Sequence, residues 1–190
     1  AADIMEKFMQ EYRIDRVNVF CPVDIKVFDS EGNLLAYTRE DVPYVEDIGK
    51  SCVSVFTEDD KKCVFIDHLD NYSIVVIGND DGEMLFEMQS SFDGENFTEA
   101  DQKYNDVRIL KDKTFKWERN KDDVKMSQLL VVDPFDRSDV IAKVQQDGSE
   151  IDMREPKIDT DSNKETTKSK KIKEDLDKPK YTEPEKQNFI

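Results

Sequence analysis

His68 is the only histidine among 190 residues, and it stands in the run DHLDN between Asp67 and Asp70. A histidine beside carboxylates can serve as a general base or a metal ligand. The same run has the composition of a polar turn, however. No G-x-S-x-G nucleophile turn occurs in the chain to complete a hydrolytic triad. His68 therefore reads as an exposed turn residue, and no catalytic residue is assigned.

The acidic clusters are the next groups able to do chemistry. DSEGN (29–33), TEDD (57–60), NDDGE (79–83) and FDGEN (92–96) each gather carboxylates around a sharp turn. Calcium takes six to eight oxygen ligands, often from alternating positions. Asn79, Asp80, Asp81 and Glu83 form the densest set, but none of the four runs fits the EF-hand loop D-x-[DN]-x-[DN]-G-x5-E. Asp, Asn and Gly are also ordinary turn formers, so these runs read as solvated turns. No metal and no cofactor is expected. A glycosidase needs two carboxylates facing a cleft. With 44 acidic residues in the chain, abundance alone selects no pair.

Cys21, Cys52 and Cys63 match neither a zinc knuckle nor a C-x-x-C redox pair. If the hairpin between the last two turns at Asp59 and Asp60, Cys63 faces Phe56. Cys52 then lies four residues further along that strand, about 13 Å away and beyond disulfide reach. A bridge from Cys21 to either stays open, and free buried thiols are the preferred reading.

Hydrophobic residues make up 37% of the chain and charged residues 38%, with a formal net charge of −16. That balance is lean for a fully packed globule. It also disfavours binding to nucleic acid or to an anionic membrane, both of which need clustered Lys and Arg. Residues 151–190 hold ten acidic and ten basic side chains, so the whole net charge sits in residues 1–150. This neutral, Lys- and Glu-rich segment has too few apolar residues to offset the entropy of ordering it. Residues 154–190 are therefore expected to form a flexible tail or linker. No signal-peptide pattern and no run of 18 apolar residues is present. The abrupt beginning reads as a fragment or a processed form.

Ile4, Met5, Phe8, Met9 and Tyr12 recur at helical spacing behind Asp3, and predict a helix within residues 1–14. From Val17 onwards the period changes to two. Val17, Val19, Cys21, Val23, Ile25 and Val27 alternate with wetter neighbours. Pro22 interrupts the run and suggests an edge strand or a bulge. Leu34–Thr38, Cys52–Phe56, Lys62–Ile66, Tyr72–Ile77 and Met84–Met88 read as further strands, with Tyr72–Ile77 central. Residues 39–50 read as a connection, and Ser90–Asp106 as a long acidic loop carrying Phe92 and Phe97. Val107–Leu110, Phe115–Glu118 (with Trp117), Leu129–Asp133, Ala142–Val144 and Glu150–Met153 complete eight to ten strands. Hairpin-length turns without helical crossovers predict a mainly β fold: an antiparallel β-sandwich over residues 15–153, preceded by the short N-terminal helix.

The segments CPVDIKVFDSEGNLLA, YSIVVIGNDDGEMLFEM and VRILKDKTF followed by QDGSEI resemble a β-sandwich-like accessory domain recurrent in secreted or surface-anchored proteins of clostridia and ruminococci. Asp29, Gly32 and Asn33 match its first turn. Gly78, Asp80, Gly82 and Met84 match its second. The resemblance covers roughly residues 17–153 and brings no catalytic residue set. It implies a non-catalytic module, extracellular or at the cell surface, that spaces or stabilises a neighbouring domain or binds a protein. The alternative is a carbohydrate-binding module using Trp117, Tyr37, Tyr44 and Tyr72. The partner is then a neighbouring domain of the same polypeptide or another surface protein, with no nucleic acid and no membrane insertion by this segment. The acidic charge is expected to repel acidic polymers. Phe92 and Phe97, in the loop that departs from the family-like pattern, are the candidate protein contacts.

Overall fold

In the computed structural model the described residues are 13–46, 52–93, 96–97, 100–120 and 124–154. They form thirteen strands: β1 (Ile14–Phe20), β2 (Val23–Asp29), β3 (Leu34–Arg39), β4 (Val42–Val45), β5 (Val53–Glu58), β6 (Lys61–Asp67), β7 (Tyr72–Gly78), β8 (Gly82–Ser91), β9 (Gln102–Ile109), β10 (Thr114–Glu118), β11 (Leu129–Val132), β12 (Val140–Val144) and β13 (Glu150–Asp152). A five-stranded sheet has the order β5-β6-β1-β8-β9, and an eight-stranded sheet the order β13-β12-β11-β10-β7-β2-β3-β4. The strand pairs are antiparallel. The domain is thus a mainly antiparallel, β-sandwich-like fold. The expected helix falls on residues outside the described ones as far as position 12, and Ile14 already belongs to β1. The tail beyond Arg154 also lies outside the described residues.

The long alternating run of Val17–Val27 does not form an edge strand. It is two strands in two different sheets. β1 lies between β6 and β8, while β2 lies between β7 and β3. The chain changes sheet at Cys21 and Pro22. There the Val23 N–H donates to the Cys21 carbonyl at 2.9 Å, and the Cys21 N–H donates to the Asp60 carbonyl at 2.9 Å. Pro22 has no N–H to leave unsatisfied at this corner. Alternation persists because both strands face one core: Val17, Val19, Cys21, Val23, Ile25 and Val27 are all buried.

Two further segments are more regular than their composition suggests. Residues 42–45, expected within a connection, pair with β3 as β4, where all four residues are exposed. The expected loop Ser90–Asp106 is shorter at both ends. β8 runs through Ser91 and β9 begins at Gln102. Polar residues such as Gln102, Lys103 and Asn105 hid that strand. The inward positions of β9 are Gln102, Tyr104, Val107 and Ile109, with a register shift opposite β8 that breaks strict alternation. β7 is central as expected, between β10 and β2.

Trp117, Phe86, Phe115, Ile25, Ile74 and Met84 fill the space between the sheets. The Trp117 indole N–H donates to Gln102 Oε1 at 2.7 Å, so the largest core side chain also satisfies its one polar atom. At one end of the sandwich, three crossings between sheets brace one another around Gly78. Its N–H donates to the Lys113 carbonyl at 2.9 Å, its carbonyl accepts from Asp112 N–H at 2.8 Å, and Asn79 N–H donates to the Pro22 carbonyl at 3.0 Å. A Cβ on Gly78 would lie 2.3 Å from the Leu110 carbonyl oxygen. Lys62, almost fully buried at this end, donates to the Cys21 carbonyl at 3.2 Å and pairs with Asp41 at 2.5 Å.

These contacts separate two glycines that look alike in sequence. Gly78→Ala must displace backbone, and is expected to cost more than about 2 kcal/mol of unfolding free energy. Gly32 has a φ of +84° but open space around its Cβ position, so Gly32→Ala is expected to cost only about 1 kcal/mol. Urea denaturation of the two variants checks the order. Equal losses would mean that the crossings do not brace each other through Gly78.

Candidate functional site

The end of the sandwich opposite Gly78 holds the densest buried charge. Asp15 on β1 is fully buried. Its Oδ2 accepts from the Tyr72 hydroxyl at 2.9 Å and from Arg119 Nε at 3.0 Å, and its Oδ1 accepts from Ser90 Oγ at 2.8 Å. Arg13 Nε lies 3.5 Å from Oδ1, an ion-pair distance without hydrogen-bond geometry. The rest of the Arg13 guanidinium donates to Asp70 Oδ1 at 3.1 Å and to the Leu69 carbonyl at 2.7 Å. β1 and β8 of one sheet are thereby tied to β7 and the end of β10 of the other. Burial, and then the Asp15 carboxylate beside it, pushes the Tyr72 phenol well above its ordinary value. A phenol so held is a hydrogen-bond donor, and Asp15 already accepts from three neighbours. The cluster has the chemistry of a crosslink.

His68 lies nearby, in the β6–β7 turn, with a left-handed φ of +56°. Its Nδ1 pairs with Asp67 Oδ1, its N–H donates to the Arg13 carbonyl at 3.2 Å, and the ring is half exposed. Among the described residues the ring's hydrogen-bond partner is the Asp67 carboxylate and not a hydroxyl or thiol, so no triad is assembled around it. Two of the acidic turns engage their carboxylates with protein N–H groups. Asp29 accepts from the N–H groups of Glu31 and Asn33 and from the Asn33 amide, and the Asn33 amide chiefly lowers its pKa. Asp81 accepts from Lys111 N–H at 3.0 Å. Among the described residues no three His, Cys, Asp or Glu side chains converge as metal ligands.

The hairpin register places Phe56 opposite Cys63, as the turn position implied; the three thiols are unpaired, but only Cys21 is buried, whereas Cys52 and Cys63 are half-buried. Burial pushes the Cys21 thiol up to about 12, against the weaker opposing pull of Lys62.

Phe92 and Phe97 lie apart in character. Phe97 rests on the outer face of the five-stranded sheet, edge-on to Phe65 at 6.0 Å between ring centroids, with the Arg16 guanidinium 4.3 Å from its ring centre. Phe92 is 51% exposed. The four aromatic residues proposed for sugar stacking divide in two. Trp117 and Tyr72 point into the core. Tyr37 and Tyr44 lie on the outer face of the eight-stranded sheet, stacked at 4.8 Å with 10° between their planes.

One exposed residue escaped the sequence reading. Phe135, between β11 and β12, is 98% exposed. Its loop is closed by short-range bonds: Asp133 Oδ1 accepts from the N–H groups of Phe135 and Asp136, Asp136 Oδ1 accepts from Ser138 N–H and Oγ, and Asp133 N–H donates to the Asp139 carbonyl at 3.0 Å. The available signal was DPFD itself, a phenylalanine inside a turn-forming run with no alternating neighbours to bury it with.

Compared with family models, curated proteins and solved structures, the chain matches none.

Two chemical consequences follow from these environments. At pH 8, Cys21 is expected to react with iodoacetamide about a thousandfold more slowly than an ordinary thiol, because the thiolate fraction falls with each unit of pKa. Unfolding in denaturant removes the difference. Arg154, by hydrogen bonding to Asp152, lowers that carboxyl to about 2. An NMR titration should show its protonation midpoint there, well below that of an unconstrained aspartate. The lowered value favours the folded state above the ordinary aspartate pKa, and that contribution disappears as pH falls through about 2. Rapid alkylation of folded Cys21, or an ordinary Asp152 midpoint, contradicts these assignments.

Proposed function

We propose that the chain is a non-catalytic accessory module of a secreted or cell-surface bacterial protein, which spaces or stabilises a neighbouring domain or binds a protein. The observation that carries this reading is Phe135, a 98% exposed aromatic side chain at the tip of a loop held by its own hydrogen bonds. A large apolar side chain on a pre-ordered loop loses little conformational freedom on entering a pocket, and such anchors dominate many protein interfaces. Asp133, Asp136 and Asp139 flank it, so the complementary pocket has a basic rim. That fits residues 1–150, which carry the whole net charge of −16. The exposed Phe92 supplies a second candidate contact. The family-like turns around Gly32 and Gly78 support an extracellular or surface location.

A carbohydrate-binding module is the second reading. It is favoured by Tyr37 and Tyr44, which lie on an outer sheet face.

The protein-binding reading is tested by quantifying partners retained from a cell-surface extract by the parent, by Phe135→Ala and by Phe92→Ala. A specific partner is expected to lose about 30-fold in affinity with Phe135→Ala, as for a central aromatic anchor. Unchanged affinity in a folded Phe135→Ala protein would remove the loop from the interface.

A further inference from the structure

The registers of the eight-stranded sheet align one residue from every strand in a single cross-strand row. Tyr44 faces Tyr37, and Tyr37 faces Lys26. Lys26 and Lys116 both face Val75. Lys116 and Lys143 both face Leu130, and Ile151 faces Lys143 at the far edge. The neighbours of these residues along each central strand, including Ile25, Val27, Ile74, Val76, Phe115, Trp117, Leu129, Val131, Ala142 and Val144, are in the core. The row therefore lies on the outer face. It holds three lysines and no carboxylate, although 44 of the 190 residues are acidic.

We propose that this row is the binding track for an extended acidic glycan carrying a uronate at every second sugar. The proposal deepens the carbohydrate-binding reading and is independent of the Phe135 contact. Adjacent strands are about 4.8 Å apart, close to the advance of one sugar in an extended β-linked chain. Lysine and apolar residues alternate strand by strand as Lys26, Val75, Lys116, Leu130 and Lys143. Cationic positions thus recur at about 9.6 Å, two strand spacings; of the two positions between them, half-buried Leu130 presents apolar surface to a neutral sugar, whereas Val75, 1% exposed, serves only as a covered spacer between Lys26 and Lys116. At the tyrosine end, a shallow cavity of about 300 Å³ brings together Asp24, Lys26, Tyr37 and Arg39. It combines a ring for a sugar's C–H face, two cations for a carboxylate and an acceptor for hydroxyls.

The track reverses the local sign of a chain whose overall charge predicts repulsion of acidic polymers. Remote charges are screened over a Debye length of about 8 Å, so the charges beside the ligand decide the contact. Lys26 and Lys143 make no ion pair among the described residues, whereas Lys116 pairs with Glu118 at 2.5 Å. That partner is exposed, and an exposed pair of this kind exchanges at little cost. Asp24 and Glu118 lie in the flanking rows, where they disfavour a polymer charged at every unit. A nucleic acid or polyglutamate is therefore a poorer occupant than a glycan of alternating charge.

Isothermal titration of the full chain with a hyaluronan octasaccharide, which has a glucuronate at every second sugar, tests the assignment. Saturable binding in the micromolar to millimolar range is expected, weakening as salt rises. Lys26→Gln/Lys116→Gln/Lys143→Gln should lose about tenfold or more, and Lys143→Gln alone should lose measurably while keeping the fold. Lys103→Gln, on β9 of the other sheet, and Phe135→Ala should leave the titration unchanged. A neutral cello-oligosaccharide should bind more weakly. Absence of saturable binding, equal affinity in the lysine variants, or equal or tighter binding of polyglutamate or oligo-dT would overturn the proposal. Loss of the Phe135-dependent partner would not affect it.

Discussion

The arrangement of the two sheets depends on one buried carboxylate. Desolvating the Asp15 carboxylate costs several kcal/mol, which only well-placed charges and donors offset. Those donors come from distant parts of the chain: Tyr72 from β7, Ser90 from β8 and Arg119 from the end of β10, with Arg13 closing the cluster. Only one mutual placement of the sheets brings them together. A one-residue slip in β1 would turn Asp15 outwards and leave Arg13 and Arg119 without their buried partner. The hydrophobic core supplies the driving force for association, and the cluster selects the register in which it occurs.

The opposite end is fixed by other means. Backbone groups of three crossings satisfy one another around Gly78, and the buried Lys62 amine joins the Cys21 corner to Asp41. A salt-bridged end and a backbone-braced end leave the outer faces with little structural work. The exposed Phe135 loop and the lysine row on the eight-stranded sheet are consequently free to differ without disturbing the core.

Much of the fold was legible because period-two alternation depends on burial, and burial is what a sandwich imposes. The run Val17–Val27 gave the correct inward residues. Its division between two sheets was not legible, since both strands face the same core and alternation is blind to the change. β4 was hidden because an exposed edge strand needs no apolar face, and β9 because Gln102 is buried by bonding to Trp117 and to backbone carbonyls. The hairpin arithmetic placing Phe56 opposite Cys63 succeeded because a tight turn determines register locally. The lysine row could not be found that way. Its members come from eight strands and meet only after seven registers are set. The Asp15 cluster was equally invisible, because its partners lie as many as 104 positions away.

Asp15 and Arg119 act together to hold the two sheets in register. A double-mutant cycle with Asp15→Asn and Arg119→Gln, followed by urea denaturation, measures that coupling. Each single variant is expected to lose about 3 kcal/mol, since it leaves the other charge buried with its network broken. The double variant should lose at least about 1.5 kcal/mol less than the sum. Losses that add to within about 0.5 kcal/mol would contradict the claim, because independent sites add in that way.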